Sequence, residues 1–282
     1  MTRRLHWSDY AAAEFPPADP ARCVAVLPTA AIEQHGPHLP VGVDTEITFG
    51  MLREVARIAP EDVDLRILPV QAVGKSNEHL HAAGTLTLTA ETALRAWTEI
   101  GLSVARAGVR KLVIVNSHGG NLDLVSIVAR ELRVRAGMLV VRVQWGAFGT
   151  PEGMVSDHER TYGIHGGDVE TSLMLHFRPE LVRMEAAANF RSTAEGMADG
   201  TAEGLGRDEG LRWLRPTGNV AYGWTARDLN PDGTVGDASR ATAERGRAIA
   251  AHQARGFCEL LREVADLDLA RFAAFGEPAP GA

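Results

Sequence analysis

The sequence, 282 residues long, predicts an α/β sandwich built around a mostly parallel sheet. Two observations carry that prediction. Short apolar runs rich in β-branched residues recur along the chain, with helical periodicities between them. The runs also lack polar alternation, as strands do when both of their faces are covered. Hydrophobic residues make up 45% of the chain, enough to build such a core.

The elements follow in order. The first run, VAVL at residues 24–27, precedes a helical pattern over 45–58. A second strand is expected at 65–70. A helix over 89–107 stops at Gly108, where a residue with no side-chain clash can end it. The third strand is KLVIV at 111–115, followed by a helix over 122–135 that stops at Gly137. A fourth strand is expected at 138–143. The helix over 168–177 ends before Pro179, and a long amphipathic helix spans 241–264. Residues 194–236 are rich in Gly and Pro and weakly periodic. They are expected to form an irregular excursion that packs on a neighbouring subunit. No repeat, low-complexity tract or linker interrupts the chain, so one domain over 1–282 is expected.

Composition removes several function classes. Lys and Arg number 29 against 36 Asp and Glu, a net charge of −7, which argues against nucleic acid as the main partner. Cys23 and Cys258 lie far apart with no CxxC, so they read as small buried hydrophobes and not as a disulfide or zinc framework. The N-terminal MTRRLHWSDYAAAEF has no apolar signal region, and no apolar run reaches the roughly 18 residues of a membrane span. A cytoplasmic protein with no membrane partner is expected.

Four segments carry chemistry. In IEQHGPHLPVGVDT, Glu33 and His35 are two apart, which puts both side chains on one side of an extended segment. Asp44 follows just before a helix, where it also fits an N-cap. His38 in the same stretch also fits an ordinary polar loop residue. In VIVNSHGGN, His118 follows a buried strand, at the carboxyl end where an α/β protein keeps its site, and precedes Gly119 and Gly120. In GIHGGDVETSLML, Glu170 begins a face that continues into Leu173 and Met174, and a carboxylate entering a core needs a partner. Asp168 there also fits a helix cap. In GKSNEHLHAAGTLTL, Glu78, His79 and His81 are candidates for contacts to those groups or to substrate.

Glu33, His35, Asp44, His118 and Glu170 form a mixed nitrogen and oxygen set with no thiolate. Such a set suits zinc, manganese or iron(II), and one this large, with an acid to spare, suits two ions. No HExxH, GxSxG or P-loop is present. A hydrolase built on Ser117 and His118 is disfavoured, because adjacent side chains rarely face each other.

The segments EQHGPHLPVGVDT, NSHGGN and HGGDVETS, in that order and spacing, resemble the creatininase family of metal hydrolases; SNEHLHAAGT and VGDASRATAERG add to the likeness. The resemblance covers roughly residues 20–250. It implies a three-layer α/β/α sandwich, two divalent metal ions per chain and a homohexamer. It implies Glu33, His35, His118 and Glu170 as metal ligands, with Asp44 bridging the two ions, and His165 as the group that shuttles protons. Creatininase proper carries Tyr and a metal-binding Glu where this chain has Gly119 and Gly120. It also carries a Trp shortly before the proton-shuttling histidine, where this chain reads RTYGIH with Tyr162. The Gly-Gly form is more similar to the deformylase and mycofactocin-peptidase branches. Gly119, Gly120, Tyr162, Glu78 and His79 are therefore the substrate-facing candidates.

The expected function is binuclear metal-dependent amidohydrolysis. A metal-bridged hydroxide would cleave the C–N bond of a cyclic amide, formamide or similar small molecule, with Glu170 and His165 as the catalytic pair. A metal-dependent peptidase acting on a small modified peptide is the alternative within enzymes. A non-catalytic metal- or ligand-binding protein is the alternative outside them.

Overall fold

The computed structural model describes residues 3–202 and 210–272. The ordered elements run β1 (Cys23–Thr29), α1 (Val43–Ile58), β2 (Asp64–Ile67), α2 (Ala90–Arg106), β3 (Lys111–Asn116), α3 (Leu122–Ala136) and β4 (Leu139–Gln144). They continue through α4 (Asp157–Tyr162), α5 (Asp168–Phe177), β5 (Asn189–Phe190), α6 (Thr193–Asp199), α7 (Ala226–Leu229), β6 (Gly236–Asp237) and α8 (Ala243–Asp266). Four strands form one sheet in the order β2-β1-β3-β4, and every pairing in it is parallel.

Both faces of that sheet are covered, which is why its strands read as unbroken apolar runs. All seven residues of β1 and all six of β3 are buried. Alternate side chains go to opposite cores. Val24, Val26, Val113 and Val115 join Met51, Met174, Ile249 and Phe257 from α1, α5 and α8. Ala25, Leu27, Leu112 and Ile114 join Trp97, Val104, Val128 and Leu132 from α2 and α3. Helices thus lie on both sides of one parallel sheet, as the sequence predicted. No helix among the described residues is long and apolar enough to cross a membrane.

The second strand is shorter than the pattern over 65–70 suggested. Leu68 N still donates to Val26 O at 2.8 Å, but the next residue, Pro69, has no N–H to continue the ladder. Within 194–236, α6 and α7 are helical, and residues 203–209 of the expected excursion lie outside the described residues. Tight contact between α5 and α8 fixes the helix that carries Glu170. A side chain at Gly246 would put its Cβ 1.8 Å from Ser172 O, so only glycine lets the two helices approach this closely.

The strand order creates a switch point. The chain steps from β1 outward to β2, crosses back over β1 to β3, then steps outward to β4 on the other side. Loops leaving β1 and β3 therefore diverge at their carboxyl ends, and ligands of open α/β sheets bind in such a crevice. There Thr29 Oγ1 donates to Asn116 Oδ1 at 3.0 Å, tying the two strand ends together.

Candidate metal centre

Three segments converge on this crevice. The loop after β1 supplies Glu33 and His35, and the first turn of α1 supplies Asp44; all three are 1% exposed, which leaves their charges almost no access to water. Asp44 does not cap α1, because Gly42 occupies the N-cap position. The loop after β3 supplies buried His118. The first turn of α5 supplies Glu170, and the turn before it supplies His165. A fourth segment, residues 74–88, closes over the top. It is held by Asn121, whose Nδ2 donates to Ala30 O at 3.1 Å and whose Oδ1 accepts from Lys75 N at 3.0 Å. It brings in His79 and Glu78.

Three of these histidines are wired alike. His35 Nδ1 lies 3.0 Å from Glu33 O, His118 Nε2 lies 2.8 Å from Lys75 O, and His165 Nε2 lies 2.7 Å from Gln34 O. A carbonyl oxygen only accepts, so each ring nitrogen there carries a hydrogen. The second nitrogen of each neutral ring then presents a lone pair, and in each case it faces carboxylate oxygen. His35 Nε2 is 3.4 Å from Asp44 Oδ1, 3.8 Å from Glu170 Oε2 and 4.0 Å from Glu33 Oε1. His118 Nδ1 is 3.2 Å from Glu33 Oε1 and 3.4 Å from Asp44 Oδ2. His165 Nδ1 is 3.6 Å from Glu33 Oε1. Lone pairs facing buried anions repel unless a cation, a proton or a metal ion, lies between them.

Hydrogen bonding points the same way. Glu33 Oε2, His35 Nε2 and Asp44 Oδ2 are buried and have no hydrogen-bond partner among the described residues. Single ligand atoms from Glu33, His35 and Asp44 lie within 4.8 Å of one another. So do those from His35, His165 and Glu170, from Glu33, His79 and His165, and from Glu33, Glu78 and His118. Imidazole and carboxylate donors without a thiolate fit a divalent ion of the zinc, manganese or iron type.

Titration behaviour follows from the same geometry. Burial alone would lower the His35 pKa, but Asp44, Glu170 and Glu33 outweigh it and lift the imidazole to about 9. Burial likewise opposes charge on His118, and Glu33 and Asp44 again overcome it, raising that pKa well above 6.5. Glu33 is held below the usual carboxylate range: burial would raise it, but His118, His165 and His35 prevail. His165 goes the other way. Burial and the neighbouring His35 keep its imidazole neutral.

The remaining candidates sort by position. His79 is buried; its Nε2 lies 3.5 Å from Glu33 Oε1 and its ring stacks on His165 at 4.4 Å. Glu78 Oε1 lies 3.4 Å from His118 Nε2. Gly120 sits beneath them, and Gly119 lines a cavity of about 460 Å³ shared with Glu170. Tyr162 ends α4 with its ring against His158, centroids 5.1 Å apart. His38 is buried apart from the cluster, bonded through Nε2 to Thr171 Oγ1 at 2.9 Å, and His81 is exposed. Ser117 Oγ pairs with Thr48 Oγ1, while His118 Nε2 lies against Lys75 O and, at 3.3 Å, Ser76 Oγ, and His118 Nδ1 faces Glu33, so Ser117 and His118 do not pair.

Two functional neighbours escaped sequence reading. Gln34 accepts from Gly36 N at 2.9 Å through Oε1, so its Nε2 is the donor to Gly233 O and to His79 Nδ1, the latter at 2.8 Å. Glu159 is buried under the turn that carries His165. Its Oε1 accepts from Asp168 N at 2.7 Å and its Oε2 from Asp237 N at 2.9 Å. Burial raises its pKa, and the two backbone donors only partly offset that. The late VGD segment acts from the other side: Val235 exchanges backbone hydrogen bonds with His165, and Thr234 Oγ1 donates to His165 O at 2.6 Å.

Comparison with known proteins is consistent with this geometry. The creatininase family model, described as creatinine amidohydrolase, matches residues 6–261. A mycofactocin precursor peptide peptidase of Mycobacterium ulcerans (strain Agy99) is 33% identical over 229 residues, covering 79% of this chain and 78% of the relative. A creatinine amidohydrolase of Pseudomonas putida is 31% identical over 202 residues, covering 64% and 73%. A solved creatininase, "Creatininase Mn", superposes with a TM-score of 0.69 at 24% identity, covering 94% of this chain and 98% of its own.

Proposed function

Because this chain belongs to the creatininase family, we propose that it hydrolyses a C–N amide bond with two divalent ions held by Glu33, His35, Asp44, His118 and Glu170. The observation that carries the reading is the set of imidazole lone pairs turned toward buried carboxylates at 3.2–3.6 Å. A divalent ion bound there supplies Lewis acidity and brings the pKa of water toward neutrality. The chain's own residues do the rest. Backbone carbonyls fix the tautomers of His35 and His118, so the ligating nitrogens are preset and aimed. His165 keeps its Nε2 hydrogen on Gln34 O, and its neutral Nδ1 can take a proton and pass it to a leaving nitrogen. The loops over residues 30–42 and 74–88 exclude bulk water, which strengthens each of these interactions.

Among possible substrates, a modified or short peptide is favoured over a cyclic amide by the 33% identity to a peptide peptidase across most of both chains. Metal identity, a homohexameric assembly and a cytoplasmic setting belong to the same proposal. They rest on the family relationship alone.

The test is His165→Ala in metal-loaded protein, assayed by amine release from blocked peptides and from formamides. Turnover is expected to fall about 10²–10⁴-fold, the range of a general acid–base residue, with metal content unchanged. Full turnover in this variant would remove His165 from the mechanism.

A further inference from the structure

The cavity beside the metal centre holds a glycine that the fold does not require. Gly119 lines this cavity together with Ser117 and Glu170. Its φ is not in the left-handed region, so the backbone does not demand glycine there. A Cβ built on it meets nothing within 4 Å among the described residues, so packing there does not demand glycine either. Its neighbour behaves differently. A Cβ at Gly120 would come within 2.4 Å of both Lys75 O and Glu78 Oε1, so that position is glycine by collision. An unforced glycine carries an entropic cost on folding of roughly 0.5–1 kcal/mol relative to alanine. What it provides here is open space directly beside the reacting centre.

That space is continuous with the rest of the cavity, whose volume of about 460 Å³ lies within the range that encloses ligands of some tens of atoms. Its lining is mixed: Ile47, Trp145, Val169 and Leu173 are apolar, while Thr150 and Gln253 are polar.

We propose that Gly119 is a specificity-determining residue. Its missing side chain admits a peptide-sized amide to the metal centre. The inference rests on the proposed metal-dependent amidohydrolase and names the size and class of its substrate.

The experiment compares two probes on the zinc-loaded full chain by calorimetry: acetohydroxamic acid, and the hydroxamic acid of N-acetyl-alanyl-alanine. Both offer one metal-binding group, and they differ only in the chain that must occupy the cavity. The parent is expected to bind the peptidyl probe at least about tenfold more tightly, from the added apolar contact. Gly119→Ala should narrow that ratio and Gly119→Leu should bring it close to one, with the melting temperature and zinc content of both variants at the parent values. Equal binding of the two probes by the parent, or an unchanged ratio in Gly119→Leu, overturns the proposal. If the parent holds no zinc and binds neither probe, the hydrolase reading fails first and takes this proposal with it.

Discussion

Replacing Asp44 with Asn is expected to lower affinity for divalent metal by more than ~100-fold and to remove hydrolysis along with it. Outer-sphere partners of metal ligands already cost about 10–100-fold when lost, and Asp44 stands inside them. Its two oxygens lie on opposite sides of the cluster, Oδ1 at 3.4 Å from His35 and Oδ2 at 3.4 Å from His118. Among the described residues no other carboxylate approaches both of these rings as closely, so its loss should affect both ion positions together. The variant is expected to fold, because this carboxylate faces imidazoles and does not support the packed cores. Elemental analysis and a melting curve on the same sample check both statements. A variant that melts like the parent and keeps its metal would show that Asp44 is not a ligand.

Metal uptake should release protons, and its affinity should climb with pH. In the metal-free chain the carboxylates hold a proton on His35, whose pKa is raised to about 9, and on His118, which is raised in the same direction. The sign follows from linkage. A raised imidazole pKa contributes stability that is fully present below the unfolded value near 6.5 and is lost as pH passes through about 9. Over that window a metal ion must displace the proton, so zinc affinity should rise about tenfold per pH unit for each proton displaced, then level off above about pH 9. Calorimetric titration with zinc at pH 7.5, repeated in buffers of different ionisation enthalpy, should register at least one proton released per chain. Affinity that is flat between pH 6.5 and 8.5, with no buffer dependence, would mean that these imidazoles are neutral before metal arrives and that their carboxylate neighbours are not pressing on them.

Much of this was readable before any coordinates, for reasons that can be named. Strands β1 and β3 are covered on both sides, so they stand out as apolar runs, and each opens at its carboxyl end into a polar motif. The spacing of Glu33 and His35 encodes their shared direction, because extended chain alternates sides every residue. What escaped reading depends on distant backbone. The tautomers of His118 and His165 are set by the carbonyls of Lys75 and Gln34, and a carbonyl leaves no mark in a side-chain pattern. Gln34 is fixed by Gly233, 199 residues away. Glu159 reads as one more solvated acid in HERTYG, and only the fold shows that it is buried against two backbone donors. The early end of β2 was visible in principle, since Pro69 stood inside the expected run. Gly119 and Gly120 look identical in sequence; their surroundings separate a glycine required by collision from one that leaves room.

The central claim is that buried carboxylates and imidazole lone pairs meet here because a divalent ion belongs between them. Elemental analysis of the parent chain, purified without chelator and divided by protein concentration, tests it most directly. The account predicts about two divalent ions per chain, removable by chelation and regained from zinc or manganese. A chain that carries no metal as purified, and takes up none from either ion, would contradict it.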